Sequence, residues 1–186
     1  MVLRVMAPER LTTARLILRR PLCTDAETIF TRYSADPEVT QFLGWQRHNS
    51  IDDTRRFLHF SDEEWGRWHA GPYLIEHLED ARLLGSTGLH FETPTRAVTG
   101  YVLAKDSWGF GYATEALGAM VRLGKELKVH ELRALCHPAH VASQRVLEKC
   151  GFACQAKRIE GTPFPNLEAT LCADALCYVL SVPRST

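Results

Sequence analysis

Residues 72–137 set the tightest limit on what this chain can fold into. Three strand-like runs, "PYLIEHL" (72–78), "RLLGSTGLHFE" (82–92) and "TGYVLAK" (99–105), are joined by the Glu79-Asp80 and Thr93-Pro94-Thr95 turns. Connections that short permit only antiparallel neighbours. From Tyr112 onward, Ala113, Ala116, Leu117, Met120, Val121 and Leu127 keep one apolar helical face, and "LRALCH" (132–137) then alternates as a strand. A strand, a helix and a strand in succession form a crossover, which joins parallel neighbours. A mixed sheet is therefore expected, with an antiparallel meander running into a parallel pair. Gly85 and Gly88 inside the middle strand predict a bulge or the close approach of another backbone.

The remaining segments complete a layered domain. "RLILRRPL" (15–22) reads as a half-buried strand. "TDAETIFTRYS" (24–34) reads as a helix capped by Thr24 and ended by Asp36-Pro37. In "SIDDTRRFLHFSDEEWGRW" (50–68), Ser50 and Asp53 offer a capping-box start to a second helix. "HVASQRVLEKCGF" (140–152) is a helix with Gly151 just past its end, and "FACQAKRIE" (152–160) and "ALCYVLSV" (175–182) supply two more strands. The order predicts one α+β (mixed α/β) domain over residues 1–186, in three layers, with about seven strands.

Composition narrows the function classes. Lys plus Arg and Asp plus Glu balance at 22 each, without the basic excess of a nucleic-acid surface. The apolar runs are too short for a membrane span, and charges interrupt those of "MVLRVMAPERLTTARL", unlike a secretory leader. Cys23, Cys136, Cys150, Cys154, Cys172 and Cys177 form no C-x-x-C pair, and several sit in apolar runs. Buried, reduced thiols of a cytoplasmic protein are expected. His137 and His140 flank Pro138 beside Cys136, but no second ligand pair stands at zinc spacing, so no metal is expected.

The segment "KDSWGFGYATEALGAM" (105–120) sets Gly109 and Gly111 one residue apart, directly ahead of the Tyr112 helix. A helix N-terminus presents unpaired N–H groups and partial positive charge, and glycine lets an anion approach them. The pair fits a pyrophosphate cradle, and equally a tight strand-to-helix turn. A Walker loop is ruled out because Tyr112-Ala113 follows Gly111. A dinucleotide fingerprint would place a third small residue where Thr114 stands and would open a parallel sheet.

"GYVLAKDSWGFGYATEA" resembles the acyl-coenzyme-A motif of the GNAT acetyltransferase superfamily, in the form carried by its RimJ/RimL-like branch. "HPAHVASQRVLEKCGF" (137–152) is similar to that branch's coenzyme-side helix. "LTTARLILRRPLCTDAETIF" with "ADPEVTQFLGW" resembles its N-terminal strand and first helix. The resemblance implies acetyl-CoA as cosubstrate, no metal, and a splayed parallel pair at the coenzyme site. By it, the Gly109–Gly111–Ala113–Thr114 amides would hold the pyrophosphate, with Trp108, Phe110 and Tyr112 completing the loop. The backbone of Val102, Leu103 and Ala104 would run along the pantetheine arm, and the Val102 amide would face the developing oxyanion. Ser143 matches a helix serine near the thiol, either as proton donor to the thiolate or as a plain contact. His140 stands where asparagine is usual, and Arg145 and Lys149 either meet the 3′-phosphate or form a solvated face.

The usual glutamate base and tyrosine acid of the superfamily are replaced here by Val98 and Leu147. His90 and Glu92 are the leading substitutes for the base, followed by Glu76 and His77. A protein α-amino group titrates near 7.7–8.0 and a lysine near 10.4, so an N-terminal or other low-pKa amine needs less help to become nucleophilic. The reading is an N-acetyltransferase acting on a primary amine, a protein N-terminus or a small molecule, by direct attack in a ternary complex. The protein would work as a monomer or homodimer, with no nucleic-acid or membrane partner. Transfer of a larger acyl group such as succinyl, and a non-catalytic acyl-CoA-binding module, are the alternatives. The rings of "FLGW" (42–45) and "DEEWGRW" (62–68) either floor the acceptor side or belong to the core.

Overall fold

The structure is a computed structural model that describes residues 6–155, 159–160, 164–167 and 174–181. The strands are β1 (Arg10–Thr12), β2 (Leu16–Arg19), β3 (Pro72–His77), β4 (Leu83–Thr93), β5 (Arg96–Leu103), β6 (Glu131–Cys136), β7 (Ala153–Cys154) and β8 (Leu176–Ser181). They form one sheet of eight strands in the order β1-β2-β3-β4-β5-β6-β8-β7. Of the expected strand over 152–160, residues 156–158 lie outside the described residues, as do Cys172 and Val182.

The expected meander is present: β3 pairs antiparallel with β4, and β4 with β5. Both readings of its glycines hold. The β3–β4 register shifts between Ile75 and Glu76, opposite Gly85. A Cβ on Gly85 would lie 1.9 Å from the Val102 carbonyl oxygen, and one on Gly88 would lie 2.8 Å from Pro72 Cα. The additional strand, β1, is three residues long, too short for alternation to reveal it. It exists because Arg10, Leu11 and Thr12 pair with Arg19, Leu18 and Ile17.

The helical stretch expected over 24–34 is a composite. A 3-10 turn at Cys23–Asp25 leads into α1 (Ala26–Ile29) and a π turn at Phe30–Ser34. Its entry is held by Asp25, whose carboxylate accepts the Leu22 amide at 2.7 Å, rather than by Thr24. Asp36-Pro37 ends this stretch and also starts α2 (Pro37–Thr40), since Asp36 accepts the amides of Glu38 and Val39 and proline suits a first helical position. In α3 (Ile51–Trp68), Asp53 accepts the amides of Asn49 and Ser50. The crossover helix is α4 (Tyr112–Glu126). The last helix, α5 (Val141–Lys149), ends at Gly151 with φ +87°, where the Gly151 and Phe152 amides donate to the carbonyls of Glu148 and Leu147. Both bonds are those of a Schellman turn.

Two apolar layers sandwich the sheet. Leu16, Leu18, Ile75, Leu84, Ala97 and Leu103 pack with α4 and α5 on one face. On the other, Leu74, Leu83, Val102 and Ala104 pack with Ile29, Tyr33, Val39 and Leu58 from the first three helices. Between β5 and β6 the parallel ladder joins only Arg96, Ala97 and Val98 to Glu131, Leu132 and Arg133. Beyond Val98 the two strands part, although β5 runs on to Leu103 and β6 to Cys136, still paired to β8 on its far edge. The sheet is thus mostly antiparallel, with an open V at its single parallel junction.

Candidate functional site

The V lies directly ahead of the N-terminus of α4. The connecting loop must reverse the chain within a few residues, and it does so with φ +83° at Gly109 and +80° at Gly111, a region closed to most L-residues. A Cβ on Gly109 would meet nothing within 4 Å, so its conformation and not its packing demands glycine. The first helical amide with an acceptor is that of Glu115, which donates to the Gly111 carbonyl at 3.1 Å. Those of Gly109, Phe110, Gly111, Tyr112, Ala113 and Thr114 have none among the described residues. A run of free amides at a positive helix end is suited to an anion.

Side chains brace this loop from two sides. Trp108 donates from Nε1 to the Leu103 carbonyl at 2.9 Å and pins the loop to the end of β5, with its ring half-exposed. Arg15, on the approach to β2, donates to the Phe110 carbonyl at 2.9 Å and lies over the Tyr112 ring. The Arg15 guanidinium is itself held by Glu115 at 2.7 Å. Glu115 also accepts the Thr13 hydroxyl at 2.6 Å and the Arg15 amide at 2.8 Å. Burial would raise the Glu115 pKa, but those donors outweigh it and hold the carboxyl below the ordinary carboxylate range. The pair joins positions 100 residues apart, and nothing local in the sequence announces it.

Inside the V, the Tyr101 hydroxyl donates to Ser143 Oγ at 3.1 Å, linking β5 to the first turn of α5. Burial pushes the phenol up to about 12, so it stays protonated. Ladder alternation corrects one expectation. The Ala104 amide donates to the Leu84 carbonyl, and the β4–β5 register is unbroken from Leu103 to Ala97. Alternate residues therefore turn toward β4, the Val102 amide among them, while the amides of Tyr101 and Leu103 turn toward the opening. The Leu103 carbonyl, taken by Trp108, points away from β4 in agreement.

The other expected residues are spread more widely. His140 stands at the N-cap position of α5 without a side-chain capping bond and stacks on Phe42, with ring centroids 5.0 Å apart, and burial lowers its pKa. Arg145 and Lys149 are exposed. Leu147 is a core residue. His90 pairs across the ladder with Val98, at the closed end of the V, and its Nδ1 meets Glu64 Oε2 at 2.7 Å. The bulge between Phe91 and Thr93 leaves Glu92 outside the pairing, so strand alternation assigns it no face. Glu76 is bound to Arg19, and His77 to Asp80. Trp65 is buried and Trp68 stacks on Phe91, whereas Trp45 lines a cavity on the α3 face of the sheet. Cys136 and Cys177 are buried, but Cys23 and Cys154 are exposed, against the expectation of buried thiols.

Comparison with known proteins agrees with this architecture. A family described as acetyltransferase (GNAT) domain matches residues 15–153. The N-acetyltransferase YoaA of Bacillus subtilis, itself uncharacterised, is 33% identical over 150 residues, covering 76% of this chain and 81% of its own. Among solved structures, RimL, a ribosomal-protein alpha-N-acetyltransferase solved with coenzyme A, superposes with a TM-score of 0.81 at 19% identity, over 94% of this chain and 98% of RimL. MccE, a microcin self-immunity acetyltransferase solved with acetyl-CoA and AMP, does so with a TM-score of 0.81 at 16% identity, over 95% and 98%. The family match covers the strand pair, the glycine loop and the α5 helix in one register, and the chain belongs to the GNAT family as an acyl-CoA-dependent acetyltransferase.

Proposed function

We propose that the protein transfers acetyl from acetyl-CoA to a primary amine by direct attack within a ternary complex. The observation that carries this reading is a run of amides, Gly109 to Thr114, without an acceptor among the described residues, at the mouth of an opening between parallel strands. The amides of the loop receive the diphosphate, and Arg15, its charge paired with Glu115, holds the loop in place through the Phe110 carbonyl. The free edge of β5, along Tyr101 to Leu103, receives the pantetheine arm. Acetyl-CoA supplies the acyl group as an activated thioester and departs as a thiol. The gap-facing amides of Tyr101 and Leu103 stabilise negative charge on the carbonyl oxygen. Ser143 gives a proton to the departing sulfur, the Tyr101 hydroxyl replaces it through the 3.1 Å bond, and Tyr101 is reprotonated from the solvent that takes up the proton lost by the amine.

An acyl-enzyme has little support. Burial raises the pKa of Cys136 and of Cys150, so neither thiol ionises readily near neutral pH, and a thiolate is the nucleophilic form. A coupled assay for free thiol, with an amine panel and with acetyl-CoA or succinyl-CoA as donor, tests the reading. Thiol release that needs both acetyl-CoA and an amine is expected. Tight acetyl-CoA binding without release for any amine would make the protein a binding module. A preference for succinyl-CoA would make it a different acyltransferase.

A further inference from the structure

Attack by an amine leaves a proton to be taken from its nitrogen, and the bases expected from sequence are poorly placed to take it. His90 is bound to Glu64 at the closed end of the V. Glu76 and His77 are bound to Arg19 and Asp80 on β3, which β4 and β5 separate from the opening. Tyr101 lies in the opening but is held protonated by burial.

His140 differs on each count. The V opens from Val98 toward Leu103 on one strand and Cys136 on the other, and residues 137–140 carry the chain from that open end of β6 into α5. Ser143, three residues on, reaches into the opening to meet Tyr101, and its amide donates to the His140 carbonyl at 3.0 Å. The His140 ring also touches the opposite layer. It stacks on Phe42 at an interplanar angle of 26°. Phe42 follows α2, whose Val39 packs with Val102 and Ala104 on the far face of the sheet. The imidazole thus stands where the two layers meet, at the open end of the V.

Its nitrogens are unengaged. Neither has a hydrogen-bond partner among the described residues, and neither is sealed from solvent. The neighbouring His137 is the contrast: it is buried, and its Nδ1 accepts the Ala139 amide at 3.1 Å. Burial and the nearby His137 ring lower the His140 pKa, so the imidazole is neutral at neutral pH and one nitrogen keeps an open lone pair. Such a group accepts a proton without first breaking a bond.

We propose that His140 is the general base of the transfer, accepting the proton of the attacking amine while Ser143, one helical turn along, protonates the sulfur. The proposal rests on the acetyl-transfer reading. The amine nitrogen bonds to the carbonyl carbon, and the carbon–sulfur bond breaks. Bond formation makes the nitrogen's proton acidic. His140 takes it on its open ring nitrogen and passes it to solvent, and the departing sulfur takes the Ser143 proton. Phe42 fixes the plane of the imidazole. The asparagine usual at this place in the RimJ/RimL-like branch forms hydrogen bonds but takes up no proton at neutral pH.

The test pairs a contact measurement that needs no acceptor with kinetics that do. The contact probe is the ketone analogue of acetyl-CoA in which a methylene replaces the sulfur, isotope-labelled at its acetyl methyl and bound to the full chain. A nuclear Overhauser contact between that methyl and the His140 ring protons, assigned by their loss in His140→Asn, is expected. Its absence in saturated protein would overturn the proposal. The kinetics use acetyl-CoA with 2-phenylethylamine, ethanolamine and a hexapeptide bearing a free N-terminus. For the amine that turns over fastest, His140→Asn should lower kcat about a hundredfold with acetyl-CoA affinity unchanged. Added imidazole should restore part of the rate lost in His140→Ala. An undiminished kcat in His140→Asn would overturn the proposal and leave the transfer reading standing. A methyl contact without thiol release for any of the three amines would overturn the transfer reading, and the base with it.

Discussion

The loop over residues 108–114 and the cluster around His140 serve opposite ends of the proposed cosubstrate and are built from different material. The loop works with its main chain. Glycines at φ +83° and +80° turn it, and amides from Gly109 to Thr114 stand without acceptors among the described residues. The cluster works with side chains. Phe42, Tyr101 and the His140–Ser143 turn come from separate elements and meet only in the folded protein. A main-chain site accepts any ligand with the right charge and spacing, in the proposed function a diphosphate common to every acyl-CoA. A side-chain site is rebuilt by a few substitutions, so the chemistry at the acyl end can change while coenzyme binding does not.

That contrast can be broken first at Gly111. Gly111→Glu places a carboxylate among the loop amides and is expected to reduce acetyl-CoA affinity by about a thousandfold or more in calorimetry, near 4 kcal/mol. Gly111→Ala carries the same backbone strain of about 1–2 kcal/mol without the charge, so it separates the two effects. Equal losses in both variants would mean that turn geometry, and not anion binding, explains the glycine.

Ser143, bonded to Tyr101 in the opening between β5 and β6, sharpens the comparison next. Ser143→Ala should lower kcat by about a hundredfold, in the range of general acid catalysis, while acetyl-CoA affinity holds. A drop in affinity with kcat intact would reduce Ser143 to a coenzyme contact.

Glu115 tests whether the loop needs its brace. Its charge-assisted bonds to Thr13 and Arg15 are worth about 1.5–3 kcal/mol, and Glu115→Gln should lower stability by a similar amount in denaturant unfolding. Because the folded pKa is depressed, this contribution is complete above the unfolded value of about 4.3 and is lost as pH falls through the lower folded value. Wild type and variant should therefore converge in acid, and a gap that persists there would show that shape rather than charge holds the brace. The smallest effect is expected for Tyr101→Phe, a few-fold fall in kcat, since water can replace a hydroxyl that only re-protonates Ser143.

The same contrast explains what could be read from the amino acids. The meander, the crossover, the Ser50–Asp53 helix start and the Gly151 helix end all announce themselves through residue types within a few positions of one another. So does the glycine loop, because a main-chain site requires small residues at fixed spacing. β1 is too short to show a period, and α2 is hidden because Asp36-Pro37 reads as a stop when it is also a start. The Arg15–Glu115 brace, the Tyr101–Ser143 bond and the Phe42–His140 stack were illegible because their partners are far apart in sequence and their chemistry exists only after folding. The facing of the Val102 amide is hidden for a related reason: which amides of a strand face a gap depends on ladder phase, set here by the Ala104–Leu84 bond.

Amide hydrogen exchange, followed with and without saturating acetyl-CoA, tests the central claim most directly. The account predicts strong slowing at the amides from Gly109 to Thr114, which have no acceptor among the described residues. Unchanged exchange at those amides in protein shown by calorimetry to be saturated would contradict it.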